Sequence, residues 1–219
     1  MNLFVIGDVH GCFHTLEELL TYWRPDQERL VQVGDLMDRG NFAPETVALA
    51  RQLEARHGEQ VVFLKGNHEV GMLRYYGPQG PYPNWLLWGG QHTIRQYRSY
   101  PELLPDHLTW LAERPLVWEN DDVIVSHAGF ADTPNPLDED NPDGILWRRG
   151  PLLDVGKVQV IGHTPTPDGR PAFDPESRTL NLDTGAVYGR CLSAARLSPT
   201  GMIRELISIP THPIDRARA

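Results

Sequence analysis

Short apolar runs alternate with amphipathic stretches over the first 65 residues. Leu3–Ile6, Leu30–Val33 and Val61–Leu64 are strand-length runs that end at Gly7, Gly34 and Gly66. Between them, Phe13–Trp23 repeats Leu16, Leu19, Leu20 and Trp23 at helical spacing, and Ala43–His57 does the same with Val47, Leu49, Ala50 and Leu53. Strands alternating with helices predict βαβ units and a parallel sheet. Residues 70–114 read as helical and rich in aromatics, from Tyr75 and Tyr76 through Tyr82, Trp85 and Trp88 to Trp110. The last third reads as short strands: Leu116–Trp118, Val123–Ser126, Val158–Ile161, Thr179–Leu182, Leu192–Leu197 and Met202–Ile207. These suggest a second sheet packed on the first. The expected fold is α/β (α+β): two mixed β-sheets packed as a sandwich and flanked by helices, in one domain over 1–219.

Composition narrows the options. The 219 residues are 40% hydrophobic, enough to build a core without disulfide staples, and Cys12 and Cys191 form no C-x-x-C pair. A net charge of −9 disfavours nucleic-acid binding, which needs a positive footprint. The longest uncharged stretch, 75–94, holds Gly77, Pro78, Gly80, Pro81 and Pro83, so it is no membrane helix. The N-terminus lacks a basic region before its apolar run. A cytoplasmic protein without membrane or nucleic-acid partners is expected.

Metal-type ligands follow the strand ends. They are Asp8 and His10, Asp35 and Asp38, Asn67 and His68, then His127 and His163 in the last third. Asp8, Asp35, Asn67 and His163 each follow a glycine, which permits close backbone approach. Sites in parallel sheets form at such ends. Asp8 and His10 are two apart, so in extended chain they point to one side. Mixed carboxylate, imidazole and amide donors suit Mn, Fe or Zn, and a carboxylate such as Asp35 can bridge two ions. Glu69 is read as bracing its loop. His14, His57, His92, His107 and His212 lack this setting and are read as ordinary packing or surface residues.

Asp8-Val9-His10-Gly11, Gly34-Asp35-Leu36-Met37-Asp38-Arg39-Gly40 and Gly66-Asn67-His68-Glu69 resemble the signature triplet of the phosphoprotein phosphatases. These belong to the calcineurin-like metallophosphoesterases. The order, with Ser126-His127-Ala128-Gly129 and Gly162-His163-Thr164-Pro165, is similar to short bacterial and bacteriophage-lambda-type members. Asp183-Thr184-Gly185-Ala186-Val187-Tyr188-Gly189 resembles their late D-T-G-A-V-Y-G element. The resemblance implies two divalent metal ions, Mn first, with Fe, Zn, Co or Ni as alternatives. It places Asp8, His10 and Asp35 on one, and Asp35, Asn67, His127 and His163 on the other. It makes His68 the acid for the leaving oxygen, Asp38 its hydrogen-bond partner, and Arg39 a phosphate grip. Trp147-Arg148-Arg149 matches a further element and puts a second clamp at Arg149, with Arg148 adjacent.

The expected activity is therefore phosphomonoester hydrolysis by in-line attack of hydroxide bound to the metals. A serine/threonine protein phosphatase acting on a phosphoprotein or small phosphorylated substrate comes first. The alternative is a symmetrical diadenosine-tetraphosphate hydrolase, with a nucleotide substrate. Enterobacterial members of that second group usually carry Ala, Gln and Asp where this chain has Asp38, His10 and Glu69.

Overall fold

The computed structural model describes residues 1–78 and 80–217. The strands are β1 (Asn2–Ile6), β2 (Glu28–Gln32), β3 (Val61–Phe63), β4 (Val117–Glu119), β5 (Val123–Ser126), β6 (Val158–Ile161), β7 (Ala172–Asp174), β8 (Thr179–Asn181), β9 (Cys191–Leu197) and β10 (Ile203–Pro210). The helices are α1 (Phe13–Leu20), α2 (Ala43–His57), α3 (Asn67–Tyr76), α4 (Pro83–Trp85), α5 (Gln91–Tyr97) and α6 (Leu104–Ala112). A wide turn over Leu86–Gly90 joins α4 to α5 and breaks helical geometry at Gly89, whose φ is 119°. Among the described residues no helix is long and apolar enough to cross a membrane.

Two five-stranded mixed sheets form, in the orders β10-β9-β1-β2-β3 and β4-β5-β6-β8-β7. In the first, β1, β2 and β3 run parallel. In the second, β5, β6 and β8 do. β9 and β10 do not join the second sheet, as their place in the chain suggested. They add antiparallel strands to the first, with Leu3 opposite Leu197 and Val5 opposite Ala195. Strand pairing is long-range, and apolar patterning marks a strand without naming its neighbour. β7 gives no apolar signal because all three of its residues are exposed, on a sheet edge.

The continuous apolar run of β1 now has a cause. Side chains alternate across a strand. Leu3 and Val5 pack with Val123, Val125, Val160 and Leu180 of the opposing sheet. Phe4 and Ile6 pack with Leu16 and Leu19 of α1 and Val47 and Ala50 of α2. Each such fully buried Leu or Phe contributes about 1.5–3 kcal/mol. The aromatic segment divides: Trp85 and Tyr97 are buried in the helical layer, whereas Tyr82 and Trp88 pack against it only partly buried.

His107 lies wholly inside this layer on α6, and its Nδ1 is hydrogen-bonded to the Tyr97 hydroxyl (2.8 Å). Burial, then Arg51, pushes its pKa down from 6.5 to about 4. The fold thus holds it neutral. Below pH 6.5 the unfolded chain takes up a proton that the folded chain refuses, so this stability is present above 6.5 and lost as pH falls toward 4. Urea midpoints measured from pH 7 to 4.5 should fall less steeply for His107→Gln than for the wild type. Parallel slopes would show that His107 carries none of the acid sensitivity.

Candidate metal centre and phosphate cleft

Six parallel strands deliver the site. Asp8 follows β1, Asp35 follows β2, Asn67 and His68 open α3 just past β3, and His127, His163 and Asp183 follow β5, β6 and β8. The carboxyl ends of the parallel strands of both sheets meet on one edge of the sandwich. Asp8, His10, Asp35, Asn67, His68, His127 and His163 are all buried there.

Asp35 stands at the centre. Its Oδ2 is 3.6 Å from His10 Nε2, 3.8 Å from His68 Nε2 and 3.3 Å from His127 Nε2. It belongs to two clusters whose ligand atoms lie within 4.8 Å of one another: His10, Asp35 and His68, and Asp35, His127 and His163. The second also contains Asn67, whose Oδ1 is 2.9 Å from His127 Nε2 and 3.0 Å from His163 Nδ1. The four residues read as one ligand set are thus together. Of the other set, His10 and Asp35 meet. Asp8 lies beside them, its carboxylate accepting from the backbone N–H of His163 (3.0 Å). Asp8 and His10 do not share a side through extended backbone, because His10 has a φ of 48°.

The far nitrogens of three imidazoles explain their aim. His10 Nδ1 faces the Met37 carbonyl (2.8 Å), His127 Nδ1 that of Val33 (3.1 Å), and His163 Nε2 that of Trp147 (3.3 Å). A carbonyl only accepts, so each of these nitrogens donates. The other nitrogen of each ring then turns a lone pair inward, as in metal-binding histidines. His127 Nε2 and His163 Nδ1 are 3.1 Å apart against one amide oxygen, an arrangement that calls for a cation between acceptors. Cations do stand in: the Arg39 guanidinium donates to His10 Nε2 (2.7 Å) and His68 Nε2 (2.9 Å). Burial works against charge on His127, but Asp35, Asp8 and Glu69 together outweigh it and lift its pKa to about 9. These donors fit divalent metal ions.

Carboxylate crowding tells the same story. Burial, then Asp183 and Asp35, pushes Asp8 well above the carboxylate range. Burial likewise lifts Asp183 to about 6. Asp183 was singled out in sequence only as part of a late motif, yet it is buried at the centre's edge.

Two glycines make the convergence possible. A Cβ on Gly66 would sit 2.3 Å from Asp35 Oδ1, and one on Gly162 would sit 1.8 Å from Asp8 Oδ1. His10, Asp35, Asp38, Arg39 and His163 all have left-handed backbone, with φ between 48° and 73°. Non-glycine residues there are strained, and such strain gathers at functional sites. The loops are held in it by hydrogen bonds. Glu69 is fully buried, and its carboxylate accepts from the backbone N–H of Asp35, Leu36 and Gly66 at 2.7–2.8 Å. It is a brace, as read from the sequence.

Above the centre lies a cleft of about 200 Å³ lined by Arg39, Asn67, His68, Trp88, Trp147, Arg149 and His163. His68 is fixed from behind, with Nδ1 2.6 Å from Asp38 Oδ2. Asp38 also accepts from Trp85 Nε1 and Thr93 Oγ1. Trp88 and Trp147 meet edge to face at 5.3 Å. The adjacent arginines diverge: Arg149 faces the cleft beside Thr164 (3.3 Å), while Arg148 pairs with Asp143 (2.7 Å). Of the wall residues, Trp88 lies in the aromatic segment that the sequence leaves open between helix packing and a stacking wall, whereas Trp147 stands out in sequence only as part of the element that marks Arg149.

Removing the brace should be costly. Glu69→Ala leaves three buried N–H groups unpaired, so urea unfolding should show a loss of about 3 kcal/mol or more. A loss below about 1 kcal/mol would show that the loops hold their strained backbone without it.

The pattern described as calcineurin-like phosphoesterase matches residues 1–187. The asymmetrical bis(5'-nucleosyl)-tetraphosphatase PrpE of Geobacillus sp. is 29% identical, over 96% of this chain and 95% of its own. That of Geobacillus thermodenitrificans is 30% identical, over 97% of both. Among solved structures, a Saccharomyces cerevisiae protein serine/threonine phosphatase superposes with a TM-score of 0.65 at 17% identity, covering 97% of this chain and 81% of that one. A metallophosphoesterase from Sphaerobacter thermophilus gives 0.61 at 18%, covering 97% and 90%. At such identity the solved structures speak for the fold alone. With the family pattern covering most of its length, and with clustered donors that suit the divalent metals the family uses, the chain belongs to the calcineurin-like phosphoesterases.

Proposed function

We propose that this protein hydrolyses dinucleoside polyphosphates at a centre of two divalent metal ions, Mn the first choice. The observation that carries it is the cleft lining: two guanidinium groups and two indoles above a buried donor set. Guanidinium matches phosphate oxygens in pairs, and flat bases stack on indole. The PrpE relatives, tetraphosphatases by name, match along nearly their full lengths.

Asp8, His10 and Asp35 would hold one ion; Asp35, Asn67, His127 and His163 the other. Bound there, the metals would neutralise phosphate charge and supply a water-derived nucleophile near neutral pH. Arg39 and Arg149 orient the attacked phosphate from two sides. Asp38 fixes the His68 ring through Nδ1, so that Nε2 faces the cleft; once a substrate phosphate takes up the Arg39 guanidinium, that nitrogen is free to carry the proton that goes to the leaving oxygen. The leaving group is then a nucleotide rather than an alcohol, and the bond broken is a phosphoanhydride. Carried over from the relatives, asymmetrical cleavage gives ATP and AMP from diadenosine tetraphosphate, in place of the two ADP expected from the sequence alternative.

The serine/threonine phosphatase reading is the second one, and it rested on His10, Asp38 and Glu69. In the structure these are 4%, 0% and 0% exposed, and all bond inward to the loops of the centre. Groups so placed serve any phosphate ester or anhydride. They carry no information about what lies beyond the attacked phosphate, and the Asp38–His68 pair suits both readings.

Mn-loaded protein should favour diadenosine tetraphosphate over a phosphothreonine peptide by ~10²-fold in kcat/KM, about 2.7 kcal/mol of transition-state binding. Chelation should abolish both activities. Preference for the peptide would overturn the nucleotide reading, and ADP as the sole product would show symmetrical cleavage. Within the cleft, Arg149→Ala should raise KM about tenfold or more, while Arg148→Ala should change it less than about twofold. The reverse order would place the clamp at Arg148.

A further inference from the structure

Tyr188 is 56% exposed, although it sits in a turn that is otherwise tightly built. Left-handed Gly185 and Gly189 bound the turn, and Ala186 is buried beneath it. The Tyr188 N–H donates to the Gly185 carbonyl (3.0 Å), and Thr211 Oγ1 donates to that of Ala186 (2.6 Å). The Gly185 N–H donates to Asp183, at the edge of the metal centre (3.0 Å). A rigid turn anchored beside the centre therefore holds a large ring out into solvent.

Cations surround that turn. The Arg39 Cζ lies over the Tyr188 ring, 5.8 Å from its centroid. Arg216 packs its guanidinium against Gly189, and the Arg190 stem packs against Gly185. Among the described residues none of these three arginines pairs with a carboxylate. In a chain of net charge −9 this is a local positive rim, suited to a polyphosphate passing over it. Arg39 joins the rim to the cleft, because its Nε donates to the Trp88 carbonyl (3.0 Å). The cleft itself, about 200 Å³, is smaller than the roughly 300–1,000 Å³ that encloses a typical small ligand. Most of a dinucleotide must lie outside it.

We infer that Tyr188 is the stacking platform for the second nucleobase of a dinucleoside polyphosphate, the first base lying against Trp88 and Trp147. This rests on the nucleotide reading proposed above and adds to it the residue that distinguishes two-base from one-base substrates. A phenol offers a base the exposed part of its ring away from Arg39, and the Arg39 guanidinium over the ring meets the phosphates that link the bases.

The test compares diadenosine tetraphosphate with adenosine 5'-tetraphosphate, each as an inhibitor of p-nitrophenyl phosphate hydrolysis by the Mn-loaded protein. Tyr188→Ala should raise the inhibition constant of the two-base compound about tenfold more than that of the one-base compound. Tyr188→Phe should keep the wild-type ratio, since it keeps the ring. An Ala variant whose ratio stays within about twofold of wild type overturns the inference, and so does a Phe variant that loses as much as Ala. If the wild type is inhibited by a phosphothreonine peptide but by neither nucleotide, the nucleotide reading has failed and the platform falls with it. If the wild type binds the two-base compound more tightly and the Ala variant still does so, only the platform falls.

Discussion

A carboxylate taken out of water needs positive charge nearby, and Asp35 is the buried carboxylate around which this molecule is arranged. Three imidazoles approach one of its oxygens within 4 Å, drawn from three separate parts of the chain. Its other oxygen accepts from the His68 N–H (3.0 Å). Burial alone would push its pKa up, yet His127, His68 and His10 together hold it well below the usual range. The requirement to keep that charge compensated fixes what surrounds it. Imidazoles must be aimed by carbonyls behind them, loops must turn through strained backbone, and a fully buried glutamate must hold two of those loops together. Divalent metal ions bound there would meet the same requirement more completely than protons and one guanidinium do.

Much of this was legible because its signals are local. An apolar run, a glycine and a ligand-type side chain sit within a few residues of one another at β1, β2 and β3, and again at β6. The span of α2 and the place of Glu69 followed from spacing alone. What was not legible depends on partners distant in sequence. Nothing in Cys191–Leu197 says that it pairs with β1 rather than with β8. Asp183 looks like an ordinary turn aspartate until β8 sets it beside Asp8. The backbone signs of His10 and Asp35 are imposed by neighbouring loops, since neither residue type demands a left-handed φ.

Substrate class was the least legible property, and the reason is spatial. The motifs describe the floor of the site, where phosphate chemistry is common to esters and anhydrides. On the nucleotide reading proposed above, discrimination falls to the walls and the rim, to Trp88, Trp147, Arg149 and Tyr188. Those are aromatic and cationic residues whose types are unremarkable in a surface or helical segment. The overall acidity of the chain pointed away from a polyphosphate, but the arginines of the cleft and rim create the opposite field locally.

The bond between Asp8 and the backbone of His163 spans 155 positions in the chain. It has a consequence for how the protein comes into being. The contacts that join the two sheets' halves of the centre are of this long-range kind: 94 positions separate Val33 from His127, and 60 separate Asn67 from His127. During synthesis the first sheet's loops are therefore exposed for as long as it takes to make the next hundred or so residues. For all that time their acidic and imidazole side chains lack the second sheet that would order them. Closing such long loops is entropically slow and rewards the chain only at the end. Assembly of the centre is thus a late event in folding, and a nascent chain with three finished βα units has the motifs of the enzyme without its geometry.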